Sequence, residues 1–242
     1  MSETTGMDRA TELLRMHQEE ERQPRSFTLL DREWELHPGV FSPDRTPVTE
    51  LFTSWIPYPP GGSFLEMGSG AGVTAVWAAL KGCREVLALD ISRAAVANTR
   101  ANAERHGVTD RLNVLRSDLF TVLPPNRAFD TVFWNSNFVE TPQNARNDTE
   151  LHHAFFDPGY TAHRRYLQQG PAHLNPGGRL LLGFSSLGNQ AHLRELARKR
   201  GLETVLLRSE VRHLPVTVEF QLLELLPAHG RDWREIDAAP PG

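Results

Sequence analysis

Short, nearly continuous apolar runs alternate with stretches of helical spacing along most of this chain. Ser63-Phe-Leu-Glu-Met67, Glu85-Val-Leu-Ala-Leu-Asp90, Arg111-Leu-Asn-Val-Leu-Arg116, Phe129-Asp-Thr-Val-Phe-Trp134 and the run ending at Phe184 read as five strands. Between them the spacing predicts helices over 73–80, 92–106, 160–174 and 191–200. Strands that are apolar at almost every position are covered on both faces, which implies a parallel sheet between helix layers. Glu203 to Arg208 and Val216 to Leu225 read as a closing antiparallel pair. Ahead of this pattern, Ser26 to Leu30 and Glu33 to Leu36 predict a hairpin around Asp31-Arg32. A weak apolar stripe of Leu13, Leu14 and Met16 predicts an earlier helix that Pro24 stops, and a further helix begins near Pro47. The expected division is an N-terminal helix and hairpin over 1–46, an α/β domain over 47–227, and a polar, Pro-rich disordered tail over 228–242. The first segment either packs as an appendage or caps a ligand site.

Composition narrows the partners. With 242 residues, 39% hydrophobic and 23% charged, the chain can bury one large core. The net charge is −4 and no basic run occurs, so a nucleic-acid backbone is not an expected partner. No apolar run is long enough to span a bilayer, and the N-terminus is polar, so the expected location is cytoplasmic, with no membrane partner. Cys83 is the one cysteine, which excludes an internal disulfide and a multi-cysteine metal site.

The chemistry starts where the first strand ends. Glu66-Met-Gly68-Ser-Gly70-Ala-Gly72 places three glycines at alternate positions before a helix. A phosphate loop ends in Gly-Lys-Ser/Thr, and no lysine stands here. A dinucleotide fingerprint needs G-x-G-x-x-G, and the third position is Val73. Glu66 would repel a pyrophosphate and attract an ammonium group. The pattern E-x-G-x-G-x-G resembles motif I of the class I S-adenosylmethionine (SAM) dependent methyltransferases. That resemblance implies a Rossmann-like fold, with a seven-stranded, mostly parallel sheet in the order 3-2-1-4-5-7-6 and helices on both faces. It also implies SAM as co-substrate, bound by Glu66, Gly68, Gly70 and Gly72.

The following strand ends extend the pattern. Asp90 closes the second strand, where ligands of doubly wound sheets bind, and it can accept two hydrogen bonds from a ribose diol. Ile91 follows and can pack on adenine, and Asp90 or Ser92 can cap the next helix. After the third strand comes Asp118-Leu119. In the resembled family an acid there accepts from the adenine amino group, and Leu119 would add an apolar contact. Pro-Gly-Gly at 176–178 before the fifth strand is also like the family.

The fourth strand ends in Asn135-Ser-Asn-Phe138, similar to the Asn-Pro-Pro-Tyr/Phe motif of amide and amine N-methyltransferases. There the Asn side chain and a following carbonyl accept hydrogen bonds from the substrate nitrogen, and the aromatic ring covers the substrate. Asn135 and Phe138 match that pattern. Ser136 and Asn137 replace both prolines. Asn135 and Asn137 are therefore the expected catalytic pair, with Asn135 also beside the cofactor. The segment 37–51 resembles the one that precedes motif I in the small-domain methyltransferases, a group that includes the release-factor glutamine methyltransferases. It puts Phe41, Ser42 and Thr46 near cofactor or substrate. Residues 139–159 form a long polar loop carrying His152, His153, Phe155 and Phe156, expected to be a lid rather than a metal site, because adjacent histidines diverge on any regular element. Tyr160, His163 and Tyr166 share a possible site-facing flank, and Ser185 lies at the end of the fifth strand. Phe41, Phe138, Tyr160 and Ser185 are the expected substrate contacts.

The leading expectation is SAM-dependent methylation of a nitrogen or oxygen on a small polar molecule. Three alternatives stay open: closure of SAM itself to azetidine-2-carboxylate with release of methylthioadenosine, protein-glutamine N-methylation, and a non-catalytic SAM-binding scaffold.

Overall fold

The structure, a computed structural model, describes residues 7, 8, 10–12, 14, 15, 23–146, 149–214 and 216–228. Leu13, Met16 and the tail beyond 228 lie outside the described residues. The hairpin is β1 (Arg25–Leu29) and β2 (Arg32–Leu36), with Trp34 opposite Phe27. Its turn is Leu30-Asp31, one residue earlier than the sequence suggests, with both residues at positive φ. Next come α1 (Val48–Trp55), β3 (Ser63–Met67), α2 (Val73–Leu80), β4 (Glu85–Asp90), α3 (Arg93–Arg105), β5 (Leu112–Arg116) and β6 (Phe129–Asn135). The second half holds β7 (Val139–Thr141), β8 (Phe156–Pro158), α4 (Thr161–Gln169), β9 (Leu174–Ser185), α5 (Gln190–Lys199), β10 (Leu202–His213) and β11 (Thr217–Pro227).

Seven strands form one sheet in the order β10-β11-β9-β6-β3-β4-β5. β3 pairs in parallel with β4 and β6, while β11 runs antiparallel to both β9 and β10. Counted along the chain, this is the expected order 3-2-1-4-5-7-6. Strand alternation splits the core into two layers. Phe64, Val86, Ala88 and Phe133 face α1, α2 and α3. Leu65, Met67, Leu87, Leu89, Val132 and Trp134 face α4 and α5. Close packing is strict at Gly183, where a Cβ would stand 2.6 Å from the Phe52 ring.

Several elements differ from the pattern in the sequence. The helix expected over 160–174 ends at Gln169 and gives way to a 3₁₀ turn, Gly170–His173, whose second residue, Pro171, has no N–H to donate. The expected loop over 139–159 contains a parallel pair, β7 with β8, enclosing a 3₁₀ turn at Glu150–Ala154. β10 runs through His213, five residues beyond the expected strand.

The hairpin is fastened to α3. Asn98 and Asn102 each donate Nδ2 to the Glu35 carbonyl, and their Oδ1 atoms accept from the N–H groups of His37 and Glu35 respectively. Cover over the carboxyl ends of the strands comes instead from the segment after the hairpin and from Ala10. Ala10 and Leu14 bury against Val139, Leu151, Phe155 and Phe156. No helix among the described residues is long and apolar enough to cross a membrane.

Candidate functional site

A cavity of about 230 Å³ opens at the carboxyl ends of β3, β4 and β6. The glycine loop forms its floor. Gly68, Gly70 and Gly72 all have positive φ. Gly72 precedes α2 at φ +81°, and a Cβ there would stand 2.8 Å from Thr99 Cγ2. The position therefore needs glycine for its backbone conformation and for its packing. Asp90 braces the loop: its Oδ2 accepts from Gly70 N–H (2.9 Å) and its Oδ1 from Ser92 N–H (2.8 Å). Ser92, not Asp90, caps α3, accepting from Ala95 N–H. Burial raises the Asp90 carboxyl above its ordinary pKa, against the pull of those N–H bonds.

Glu66 is 3% exposed and lines the same cavity. The Thr74 hydroxyl and Ala75 N–H bond its carboxyl, and Oε2 has no partner among the described residues. Burial pushes this carboxyl well above the usual range, and the charge of Asp90 adds to the shift. A buried carboxylate oxygen without a donor is a fitting seat for an ammonium group. The residues present thus fit SAM: Glu66 for the α-ammonium, Asp90 for the ribose, and Ile91 and Leu119, both half-buried in the cavity wall, for the adenine faces.

Asp118 lines the cavity and also carries an ion pair that the sequence does not announce. Its carboxylate is occupied by Arg165 of α4, whose Nη1 donates to both oxygens (2.9 and 2.8 Å). The helix that carries Arg165 packs beside the strand end, so the carboxylate meets a guanidinium on one side while it lines the cavity on the other. Glu150 fastens the 149–155 segment over this side of the cavity. It accepts from Arg93 N–H and from Arg116 Nη2.

The opposite wall is the end of β6. Asn135 lines the cavity, half-buried, and its side chain makes no hydrogen bond among the described residues. The following residues, which lack the prolines of the resembled motif, are held by side-chain bonds. Ser136 Oγ donates to the Gly183 carbonyl (2.8 Å), Asn137 Nδ2 to the Phe156 carbonyl (2.8 Å), and Tyr160 Oη to the Phe138 carbonyl (2.6 Å). Tyr160 Oη also accepts from Asn189 N–H (2.8 Å), and the ring stacks on His192. Glu140 completes the ring of contacts by accepting from Asn189 Nδ2 and pairing with His192. Tyr160 sits at φ +50°, an unfavourable conformation for a large side chain.

Tyr160 and Ser185 are therefore not substrate contacts. Tyr160 is fully buried behind the motif, where its hydroxyl holds the backbone of Phe138. Ser185 is also fully buried, its Oγ accepting from Leu187 N–H. Ser42 bonds Arg25 and Asp44 beneath the segment rather than facing the cavity. Tyr166 is buried in the core with its hydroxyl on the Leu181 carbonyl. Phe41, Thr46, Asn137 and Phe138 do line the cavity, joined by His153 and Phe155. Thr74 and Glu150 escaped the sequence reading. Only Thr74 had a local signal, as the first hydroxyl in the helix after the glycine loop.

A model of the methyltransferase small domain family matches residues 33–201. The release factor glutamine methyltransferase of Bordetella pertussis is 30% identical over 208 residues, 74% of this chain and 74% of that protein. The release factor glutamine methyltransferase of Cereibacter sphaeroides is 31% identical over 156 residues, covering 61% of this chain and only 55% of that protein. The chain thus spans about half the length of the Cereibacter relative. Among solved structures, a ribosomal protein L11 methylase from Lactobacillus delbrueckii subsp. bulgaricus superposes with a TM-score of 0.56 at 18% identity, over 80% of this chain and 84% of that one. These findings overturn one expectation. Both release factor methyltransferases are named for a protein acceptor, so the small-molecule acceptor read from the missing prolines is withdrawn.

Proposed function

The chain belongs to the methyltransferase small domain family of SAM-dependent methyltransferases, and from that premise we propose that it methylates the side-chain amide nitrogen of a glutamine in a protein. The observation that carries this reading is Asn135. Its side-chain amide has no partner among the described residues and stands at the end of β6, in the same cavity wall as Glu66 and Asp90. An amide nitrogen is a poor nucleophile because its electron pair is shared with the carbonyl. An acceptor on its N–H draws that pair back towards nitrogen and fixes its direction. Asn135 Oδ1 is such an acceptor. Bound SAM supplies a methyl group on an activated sulfonium. The nitrogen pair forms the new N–C bond, the C–S bond breaks with its pair going to sulfur, and nitrogen releases one proton to solvent. The protein's part is alignment and exclusion of water. Glu66 anchors the ammonium end, Asp90 the ribose, and Phe41 and Phe138 shield the acceptor.

The test is incubation of the purified protein with SAM and a bacterial release factor, the acceptor class named for its relatives. Mass spectrometry of the acceptor should show one added methyl on a glutamine, with S-adenosylhomocysteine formed in equal amount. Methylthioadenosine from SAM alone, with no methylated protein, would refute the reading in favour of ring closure.

A further inference from the structure

Trp134 is the last apolar residue of β6, paired with Met67 of β3 and directly before Asn135. It is 5% exposed and lines the cavity. An indole N–H can donate one hydrogen bond and accept none, and when buried it normally has an acceptor. Trp34 follows that rule: fully buried, it donates Nε1–H to the Leu29 carbonyl (2.8 Å). Trp134 Nε1 has no acceptor among the described residues. Unlike Asn137 Oδ1 and His163 Nε2, which are closed off, it keeps contact with the cavity. It stands at the first glycine of the loop, where a Cβ on Gly68 would be 3.4 Å from Nε1. His163 and Tyr166 hold the indole from behind, with ring centroids 4.7 and 5.2 Å away, so the N–H is presented in a fixed direction. The two core layers tell which part of a ligand meets it. Glu66, at the ammonium end, turns to the layer of α2, where Thr74 and Ala75 bond it. Trp134 turns to the other layer, with Leu89 and, at its border, Leu119 and Ala162. All four line the cavity, and Leu119 belongs to the adenine end.

We propose that Trp134 is a further cofactor-binding residue: its indole N–H donates to a ring nitrogen of the SAM adenine. The exocyclic amino group of adenine donates, whereas its ring nitrogens N1, N3 and N7 carry in-plane electron pairs and accept. A side chain that only donates therefore has the ring nitrogens as its partners on the base. The proposal rests on SAM lying along Glu66, Asp90 and Leu119, and it is independent of what the acceptor is. Its consequence is recognition of the base itself, through a hydrogen bond and not through apolar contact alone. A site built to donate to a ring nitrogen discriminates against a base that carries C–H in its place, because the N–H is then left without a partner.

The experiment measures calorimetric binding of S-adenosylhomocysteine and of its 1-deaza, 3-deaza and 7-deaza analogues, each with one ring nitrogen replaced by C–H, to the wild type and to Trp134→Phe. Phenylalanine keeps a ring against His163 and Tyr166 and has no N–H. One analogue should bind the wild type about fivefold to tenfold more weakly than the parent compound. The same analogue should bind Trp134→Phe as well as the parent does, because the variant has already lost that contact. Equal losses on both proteins, or none on either, overturn the proposal. If the variant does not fold, nitrogen-15 spectra of the wild type decide. Of the four tryptophans among the described residues, Trp134 alone lines the cavity. An indole N–H resonance should move downfield on adding S-adenosylhomocysteine and fail to do so with the one analogue that lacks the acceptor. An indole signal unmoved by the parent, or moved alike by all four ligands, overturns the assignment. Failure of the underlying SAM placement looks different, because Asp90→Ala then leaves the affinity for S-adenosylhomocysteine unchanged.

Discussion

The two walls of the cavity are built by different means. On the cofactor side, shape comes from the backbone: three glycines at positive φ, Gly70 and Ser92 N–H groups gathered by Asp90, and a Cβ-free approach of Gly72 to Thr99. On the acceptor side, shape comes from side chains that reach across the sequence: Ser136 to Gly183, Asn137 to Phe156, Tyr160 to Phe138, and Glu140 to His192 and Asn189. A wall made of backbone is encoded in a few adjacent residues. A wall made of long-range bonds can lose two prolines and still hold its loop, because hydrogen bonds replace the rigidity that proline imposes through φ.

This contrast can be broken from either side. The largest effect is expected for Asn135→Ala, which should reduce turnover by about a hundredfold or more while calorimetric SAM affinity changes by less than about threefold. Comparable losses in both quantities would mean that Asn135 belongs to the cofactor wall. Next is Gly72→Ala. It forces a Cβ into Thr99 and a residue other than glycine into the left-handed region, so SAM affinity should fall by about tenfold or more, with a lower Tm. Tyr160→Phe should act on the other wall alone. It strips a donor from the Phe138 carbonyl and an acceptor from Asn189 N–H, buried losses that cost about 1–3 kcal/mol each. Turnover should drop about fivefold to tenfold with unaltered SAM binding, and weaker SAM binding would erase the division between the walls.

The smallest effect is a pH slope. Burial raises the Glu66 carboxyl well above its usual pKa in the ligand-free protein. An ammonium partner favours the ionised form, so SAM binding expels a proton. Affinity should therefore rise with pH and level off above the ligand-free pKa of Glu66. Glu66→Gln should bind SAM more weakly and flatten this slope. The same shift predicts the sign for stability. A carboxyl whose folded pKa is raised favours the fold at low pH, and that contribution is lost as pH climbs from the ordinary carboxylate value through the raised one. Thermal melts of ligand-free Glu66→Gln should accordingly gain on the wild type as pH rises. Parallel pH profiles for the two proteins would refute the assignment.

Legibility in the sequence followed the same division. The glycine loop, and Glu66 and Asp90 as cavity-lining acids, were readable because each depends on neighbours within one strand–loop–helix unit, while the strand order came from the resemblance that this unit carries. β7 and β8 were not, since three-residue strands carry no measurable period and pair across an intervening turn. Tyr160 read as a site-facing ring because helical spacing reports a face but not what covers it. The ion pair of Asp118 was hidden because Arg165 lies on a different element. The missing prolines pointed to a different kind of acceptor, when their role had passed to Ser136, Asn137 and Tyr160.

Asn102 carries a consequence beyond the cavity. Its Nδ2 donates both to the Glu35 carbonyl of the hairpin and to the Ala71 carbonyl between Gly70 and Gly72. One carboxamide thus joins the outermost ribbon to the loop beneath the ligand. Deuterium uptake at the Glu35 and His37 amides, which bond Asn102 and Asn98, would then report from a distance whether that loop is loaded.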